Sequence, residues 1–361
     1  MKVLIATDTV GDVFAYTAEL SAALENEGVE VVVATMGPRL RREQRALLPA
    51  RVHESGYRLE SAEDSGVDVA AAGRWLQILE EEERPDVVQL CSYAHGALPM
   101  AAPKVVVAHS SLLSWWRAVH GADAPAEWGR YREQMAAGLE GADAVVAPTR
   151  AALEELEADH RLRAGTTHVI HHGSATPAAA SDVGKSALVL GAERVWDAAK
   201  NLTTLDAAAA RLAWPVTVAG DFGPMGKVRF AESAGSLGPS ALAKLRRSAS
   251  IFAAPTAYEP SGLGILAAAS DRCALVLGYI PSLRELWTDA AIFVQPGDDR
   301  ALHEVLETLI GDSQLRGELA ERAQQRAAEL SIQRTARAYT GLYEQLVDQL
   351  AAAPSCSPSQ P

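Results

Sequence analysis

The chain has 361 residues, 48% hydrophobic and 22% charged, the balance of a soluble globular protein and enough chain for two self-sufficient cores. Acidic residues outnumber basic ones 46 to 33, for a net charge of −13, which disfavours a general nucleic-acid binder and leaves room only for a local basic pocket. Three cysteines, Cys91, Cys273 and Cys356, are odd in number and widely spaced, so neither a disulfide framework nor a cysteine-rich zinc site is expected. Nothing resembles a signal-peptide core, and no apolar run of about 20 residues is present, so a cytoplasmic protein without a transmembrane segment is expected.

The elements follow in chain order. Val3-Leu4-Ile5-Ala6 is the continuous apolar run of a buried parallel strand. A turn at Val10-Gly11-Asp12 leads into a helix with Val13, Thr17, Leu20 and Leu24 at helical spacing, stopped by Gly28. Glu30 to Ala34 is a second strand, completing a βαβ unit. Asp86–Leu90, Lys104–Ala108, Asp143–Ala147 and Thr167–Ile170 continue the strand series, with helical stretches between. Ser174 to Ser181 is small and aperiodic and reads as a linker. The alternation restarts at Ala187–Leu190, a helix over Leu205–Leu212, and strands at Pro215–Gly220, Ser250–Pro255 and Ala274–Leu277. From Arg300 to Leu350 the chain is almost all helical. Strands alternating with helices predict an α/β protein with two doubly wound, Rossmann-like sheets.

Several motifs are set aside. Gly262-Leu263-Gly264-Ile265-Leu266-Ala267 has dinucleotide-fingerprint spacing but lies too far from its strand. Gly184-Lys185-Ser186 imitates the end of a P-loop without its first glycine or strand, and reads as linker. His171-His172 has no partner at metal spacing, and no Asp-x-Asp occurs, so no metal site is expected.

Three features carry chemistry. Gly11-Asp12-Val13 follows the first strand, where a glycine lets backbone amides approach a ligand at a helix start; it could equally be an ordinary βα turn. Arg194 and Lys200 follow the first strand of the second half, where two cations could neutralise a diphosphate or simply be a solvated loop. The run from Pro255 to Leu266 places Glu259 beside a helix start at Ser261-Gly262-Leu263, pairing an anion-binding amide cluster with a carboxylate suited to sugar hydroxyls.

With these residues in place, the chain resembles the family 4 glycosyltransferases of the GT-B fold, over nearly its whole length. The likeness rests on the order of Gly11-Asp12-Val13, Ser92-Tyr93-Ala94-His95-Gly96, His109-Ser110, Ser114-Trp115-Trp116-Arg117-Ala118, Arg194 to Asn201, Tyr258-Glu259-Pro260-Ser261-Gly262-Leu263 and Pro281 to Trp287. It implies a retaining, metal-independent transfer from a nucleotide-sugar donor to a small-molecule or glycan acceptor, with no cofactor. By residue, Arg194 and Lys200 would hold the diphosphate, joined by backbone amides at Gly262 and Leu263 beside Ser261. Glu259 would bind donor-sugar hydroxyls, His109 would lie by the reacting sugar, and Gly11 with Asp12 would meet the donor from the first half. The expected organisation is an N-terminal acceptor-side domain (1–175), a C-terminal donor domain (176–335), a helix crossing back to the first domain (336–350) and a flexible tail (351–361).

The donor pocket departs from the family pattern. Ala267 stands where a second glutamate would hold the nucleotide ribose, Ser261 where Phe is usual, Asp12 where a second Gly is usual, and His172 where Asn is usual. An active enzyme with an unusual donor is therefore set against a degenerate homologue that binds a ligand or partner without turnover. A sugar-nucleotide epimerase would share the two halves but needs a pair of acid–base carboxylates that the sequence does not offer.

Overall fold

The computed structural model describes residues 1–62, 65–162, 165–175, 184–191, 196–220 and 228–352. The first sheet has seven parallel strands: β1 (Lys2–Asp8), β2 (Glu30–Met36), β3 (Val52–Glu54), β4 (Val87–Leu90), β5 (Lys104–Val107), β6 (Ala144–Ala147) and β7 (Thr167–Val169). Their order is β3-β2-β1-β4-β5-β6-β7. The second sheet comprises β8 (Ser186–Gly191), β9 (Val216–Ala219), β10 (Glu232–Gly235), β11 (Ala249–Ala254), β12 (Ala274–Gly278) and β13 (Ala291–Val294), ordered β10-β9-β8-β11-β12-β13. In each sheet the order in which strands are added reverses once, between β1 and β4 and between β8 and β11, which opens a crevice at the carboxyl ends of those strands.

The strands are apolar on both faces because both faces are covered. Val3 and Ile5 of β1 pack with Leu20 and Leu24 of the Gly11–Asn26 helix, while Leu4 and Ala6 face Leu76, Met135 and Leu139 on the other side. In the second domain Leu190, Leu275 and the fully buried Trp287 share one cluster, and Val189, Val218, Leu302 and Leu306 another. Each large aliphatic side chain buried this way contributes about 1.5–3 kcal/mol.

Three strands escape the sequence pattern. The edge strands β3 and β10 are short and half-exposed, and β13 is only partly buried. The helix read at Leu205–Leu212 spans Leu202–Ala208 instead, entered through Asn201 in the left-handed region at φ 58°. Gly184-Lys185-Ser186 is not linker: Ser186 opens β8, and the Lys185 ammonium donates to the carbonyls of Ala249 (2.7 Å) and Asp271 (2.6 Å). Of the stretch read as linker, Ser174 pairs with Ser331 as the chain leaves and re-enters the first domain, and 176–181 lie outside the described residues. A Cβ on Gly173 would sit 2.3 Å from Ser331 backbone, so these two crossing strands approach closely only because residue 173 is glycine.

The helix Ile332–Ala352 lies on the first domain, with Tyr339, Tyr343 and Leu346 buried in the same cluster as Val3, Leu20 and Leu24. The Tyr343 hydroxyl meets the side-chain oxygen of Gln89 in β4. Among the described residues, no helix is long and apolar enough to cross a membrane. Cys91 and Cys273 are both free thiols, and Cys356 lies outside the described residues.

Candidate active site

The two crevices face each other across one cavity of about 620 Å³. Of the residues singled out from sequence, Gly11, Asp12, His109, Lys200, Glu259, Ser261 and Leu263 all line it, although they come from the two halves of the chain. Arg194 lies outside the described residues.

The second domain supplies the charged wall. After β11, the chain loops through Glu259 to Gly262, which caps the Leu263–Ser270 helix in the left-handed region at φ 68°. A side chain would be strained there, so glycine sets the angle at which the helix start meets the loop. The Glu259 carboxylate is held at both oxygens. Oε2 pairs with the Lys200 ammonium, and Oε1 accepts the Gly262 N–H at 2.9 Å. Without a ligand, the Gly262 amide is therefore capped by the glutamate three residues earlier. Lys200 ends a 3-10 turn, Ala198–Lys200, whose start is capped by Asp197 through the Ala199 N–H (3.0 Å). The Ala257 N–H donates to the Ala199 carbonyl at 2.8 Å, which joins that turn to the Glu259 loop. Ser282 donates to the Glu259 backbone carbonyl at 2.6 Å and fixes the loop from behind.

The first domain supplies an uncharged patch around His109, with Asp8, Asp12, Arg58 and Glu60 elsewhere on its side of the cavity. His109 follows β5 with Nε2 3.3 Å from the Cys91 sulfur. Its ring stands edge-on to Tyr16 at 5.3 Å and lies 5.0 Å from the His172 ring, which stacks on Tyr16 at 4.0 Å. Burial pushes His109 down to about 4 and pushes the Cys91 thiol up to about 12. Burial also lowers His172, with His109 and His171 acting the same way. Both imidazoles and the thiol are therefore uncharged near neutral pH. The two ring nitrogens of His172 are buried and have no hydrogen-bond partner among the described residues. A buried, unsatisfied polar group costs about 1–3 kcal/mol, a cost that a bound hydroxyl would relieve.

Direct bonds hold the walls together. The Ser111 N–H donates to the Tyr258 hydroxyl at 2.9 Å, and the Trp115 indole N–H donates to Asp197 Oδ1 at 2.9 Å. Trp115 packs edge-on to Trp116 and His120, so its ring is a strut between domains as well as part of the cavity wall. Farther out, Glu285 of the second domain accepts the N–H groups of Arg150 (2.8 Å) and Ala151 (3.0 Å), capping a first-domain helix. Ala267 sits half-buried on the Leu263–Ser270 helix and offers the site no polar side chain.

Sequence reasoning missed several cavity residues. His172 stands out in the sequence as half of a His-His pair and as a departure where Asn is usual, but its place beside His109 depends on contacts between distant elements. Tyr258 was seen as motif rather than as a bond across the cleft. Glu60 gave no signal at all, because it lies on an irregular stretch after β3. Among the described residues, no group of three or more His, Cys, Asp or Glu side chains is placed to hold a metal ion.

Comparison with known proteins agrees with this geometry. Residues 13–176 match the family model described as Glycosyltransferase Family 4. The chain is similar to the solved sucrose-phosphate synthase of Thermosynechococcus elongatus, at TM-score 0.79 and 16% identity, covering 97% of this chain and 100% of that one. A glycosyltransferase of Rickettsia africae matches at TM-score 0.71 and 15% identity, covering 96% and 98%. The HepE protein of Anabaena, in complex with UDP and glucose, matches at TM-score 0.70 and 15% identity, covering 97% and 99%. A comparison with curated protein sequences found no match. The fold is that of the GT-B glycosyltransferases.

Proposed function

We propose that this GT-B chain, with its family 4 first half, is a retaining glycosyltransferase moving a sugar from a nucleotide-sugar donor to a small-molecule or glycan acceptor. The observation that carries the proposal is the Lys200–Glu259–Gly262 cluster facing the neutral His109 wall across one interdomain cavity.

The donor diphosphate would take Lys200 and the Gly262 N–H from Glu259, with Arg194 as a second cation. That exchange frees the Glu259 carboxylate for the donor sugar's hydroxyls. The anomeric C–O bond then breaks, leaving negative charge on the diphosphate and oxocarbenium character on the sugar. Fixed cations and a helix start stabilise the first of these charges. A neutral His109 can hydrogen-bond the sugar without adding positive charge beside a positive centre. The acceptor oxygen bonds to the anomeric carbon on the face the phosphate leaves, and its proton passes to the departing phosphate. No side-chain nucleophile is needed, which accounts for retention. Cross-cleft bonds such as Ser111–Tyr258 would keep the cavity closed and limit hydrolysis.

Because HepE binds UDP and glucose, UDP-glucose is the first donor to test. Ala267 removes a charge-assisted ribose contact, worth about 1.5–3 kcal/mol, so an ordinary nucleotide should bind roughly ten- to over a hundredfold more weakly unless another group substitutes. Thermal unfolding with millimolar UDP, GDP, ADP, CDP and TDP tests the proposal. A ligand at 100 times its Kd adds about 2.7 kcal/mol of stability. A clear rise with one nucleotide is expected. No rise with any of them overturns the proposal in favour of a ligand-binding homologue without transfer.

A further inference from the structure

The cavity extends from the His109 wall into the first domain, where it is lined by Glu60, Ser92, Tyr93, His95 and Tyr131. Two polar groups of this lobe, Glu60 and Ser92, present acceptors. Glu60 Oε1 accepts the Tyr93 N–H and Oε2 the Ala94 N–H, both at 2.9 Å. Those two bonds leave lone pairs on both oxygens. Burial raises the Glu60 carboxyl, only partly offset by the two amides.

Ser92, the neighbour of Tyr93, has its hydroxyl 2.5 Å from His95 Nδ1. His95 Nε2 lies 3.1 Å from the Val69 carbonyl, which can only accept. Nε2 must therefore carry the proton. Burial lowers the His95 titration, so the ring is neutral and Nδ1 is the acceptor. The Ser92 proton is thus committed to His95, and its oxygen offers only lone pairs to a ligand. A carboxylate and a hydroxyl oxygen, walled by the rings of Tyr93 and Tyr131, form a site that takes donors and favours positive charge.

Resting on the transferase reading above, we propose that this lobe binds the protonated amino group of an aminated, polyhydroxylated acceptor. An ammonium brings three donors and a full charge to Glu60 and Ser92. A hydroxyl at the same place brings one donor and no charge, and an acetylated amine likewise. Glu60 and Ser92 act here as specificity-determining groups that touch the acceptor away from the reacting carbon.

The test is calorimetric titration of the full chain with D-glucosamine, D-glucose and N-acetyl-D-glucosamine at neutral pH, with UDP titrated in parallel. The expected result is a preference of roughly ten- to a hundredfold for glucosamine over both neutral sugars, the range of a charge-assisted hydrogen bond. Glu60→Gln should abolish the preference, and Ser92→Ala should reduce it, with UDP binding unchanged in both. Equal affinities for the three sugars in the unaltered chain overturn the proposal without any variant having to fold, and so does a preference that survives Glu60→Gln. UDP binding without an amine preference removes only the acceptor assignment. An amine preference without binding of any nucleoside diphosphate keeps the amine site and removes the transferase reading.

Discussion

Across a single cavity, Lys200 and Glu259 carry charge that is held by pairing, while His109 and His172 carry none because burial has removed it. The charged wall sits on a helix start and a 3-10 turn, where backbone dipoles and caps support ions. The neutral wall sits against Tyr16 and Cys91 with few polar neighbours. The contrast separates two tasks. In the proposed reaction the phosphate charge of the donor falls to the second domain, and the His109–His172 wall offers shape and hydrogen bonds without competing for phosphate.

The contrast can be broken most severely at Lys200. Its ammonium and the Glu259 carboxylate are each only 10% exposed, so Lys200→Ala breaks a buried ion pair, at a cost of up to about 3–5 kcal/mol. Transfer should also fall roughly 10²–10³-fold. Urea unfolding and a product assay check both effects, and the double variant with Glu259→Ala should regain most of the stability but none of the activity. Full stability in Lys200→Ala would mean that the pair is not a support of the charged wall.

Acidification should sharpen the contrast from the other side. His109 is depressed from an ordinary 6.5 to about 4, so the unfolded chain takes up this proton first. The stability it contributes is whole above about pH 6.5 and is lost as the pH falls towards 4, on the order of 3 kcal/mol over that window. Unfolding measured at pH 7 and 4.5 should show a smaller loss for His109→Asn than for the unaltered chain. Equal losses would show that the imidazole is not held neutral by burial. The mildest change is Tyr258→Phe, which removes the acceptor of the Ser111 N–H and should cost about 1 kcal/mol with a few-fold rise in KM. An unchanged KM would mean that this bond does not set how the walls meet.

The frame was legible from sequence because buried parallel strands are written as uninterrupted apolar runs, as in Val3 to Ala6 and Lys104 to Ala108. The edge strands were not, since Val52–Glu54 and Glu232–Gly235 bury too little to need such a run. At the site, residues on recognisable turns such as Gly11, Lys200 and Glu259 could be picked out and do line one cavity. What could not be read was competition within it. That Glu259 rather than a ligand takes the Gly262 N–H, or that His172 stacks on Tyr16, follows from tertiary contact and leaves no trace in spacing.

The helix Ile332–Ala352 bears on how the protein is made. Tyr339, Tyr343 and Leu346, which close one side of the first sheet's core, are synthesised only after the whole of the second sheet. At about 5–20 residues per second, the first domain waits roughly ten to thirty seconds after its own strands emerge. During that interval the apolar surface that Tyr339, Tyr343 and Leu346 later cover is open, and it is the surface a nascent-chain chaperone would meet.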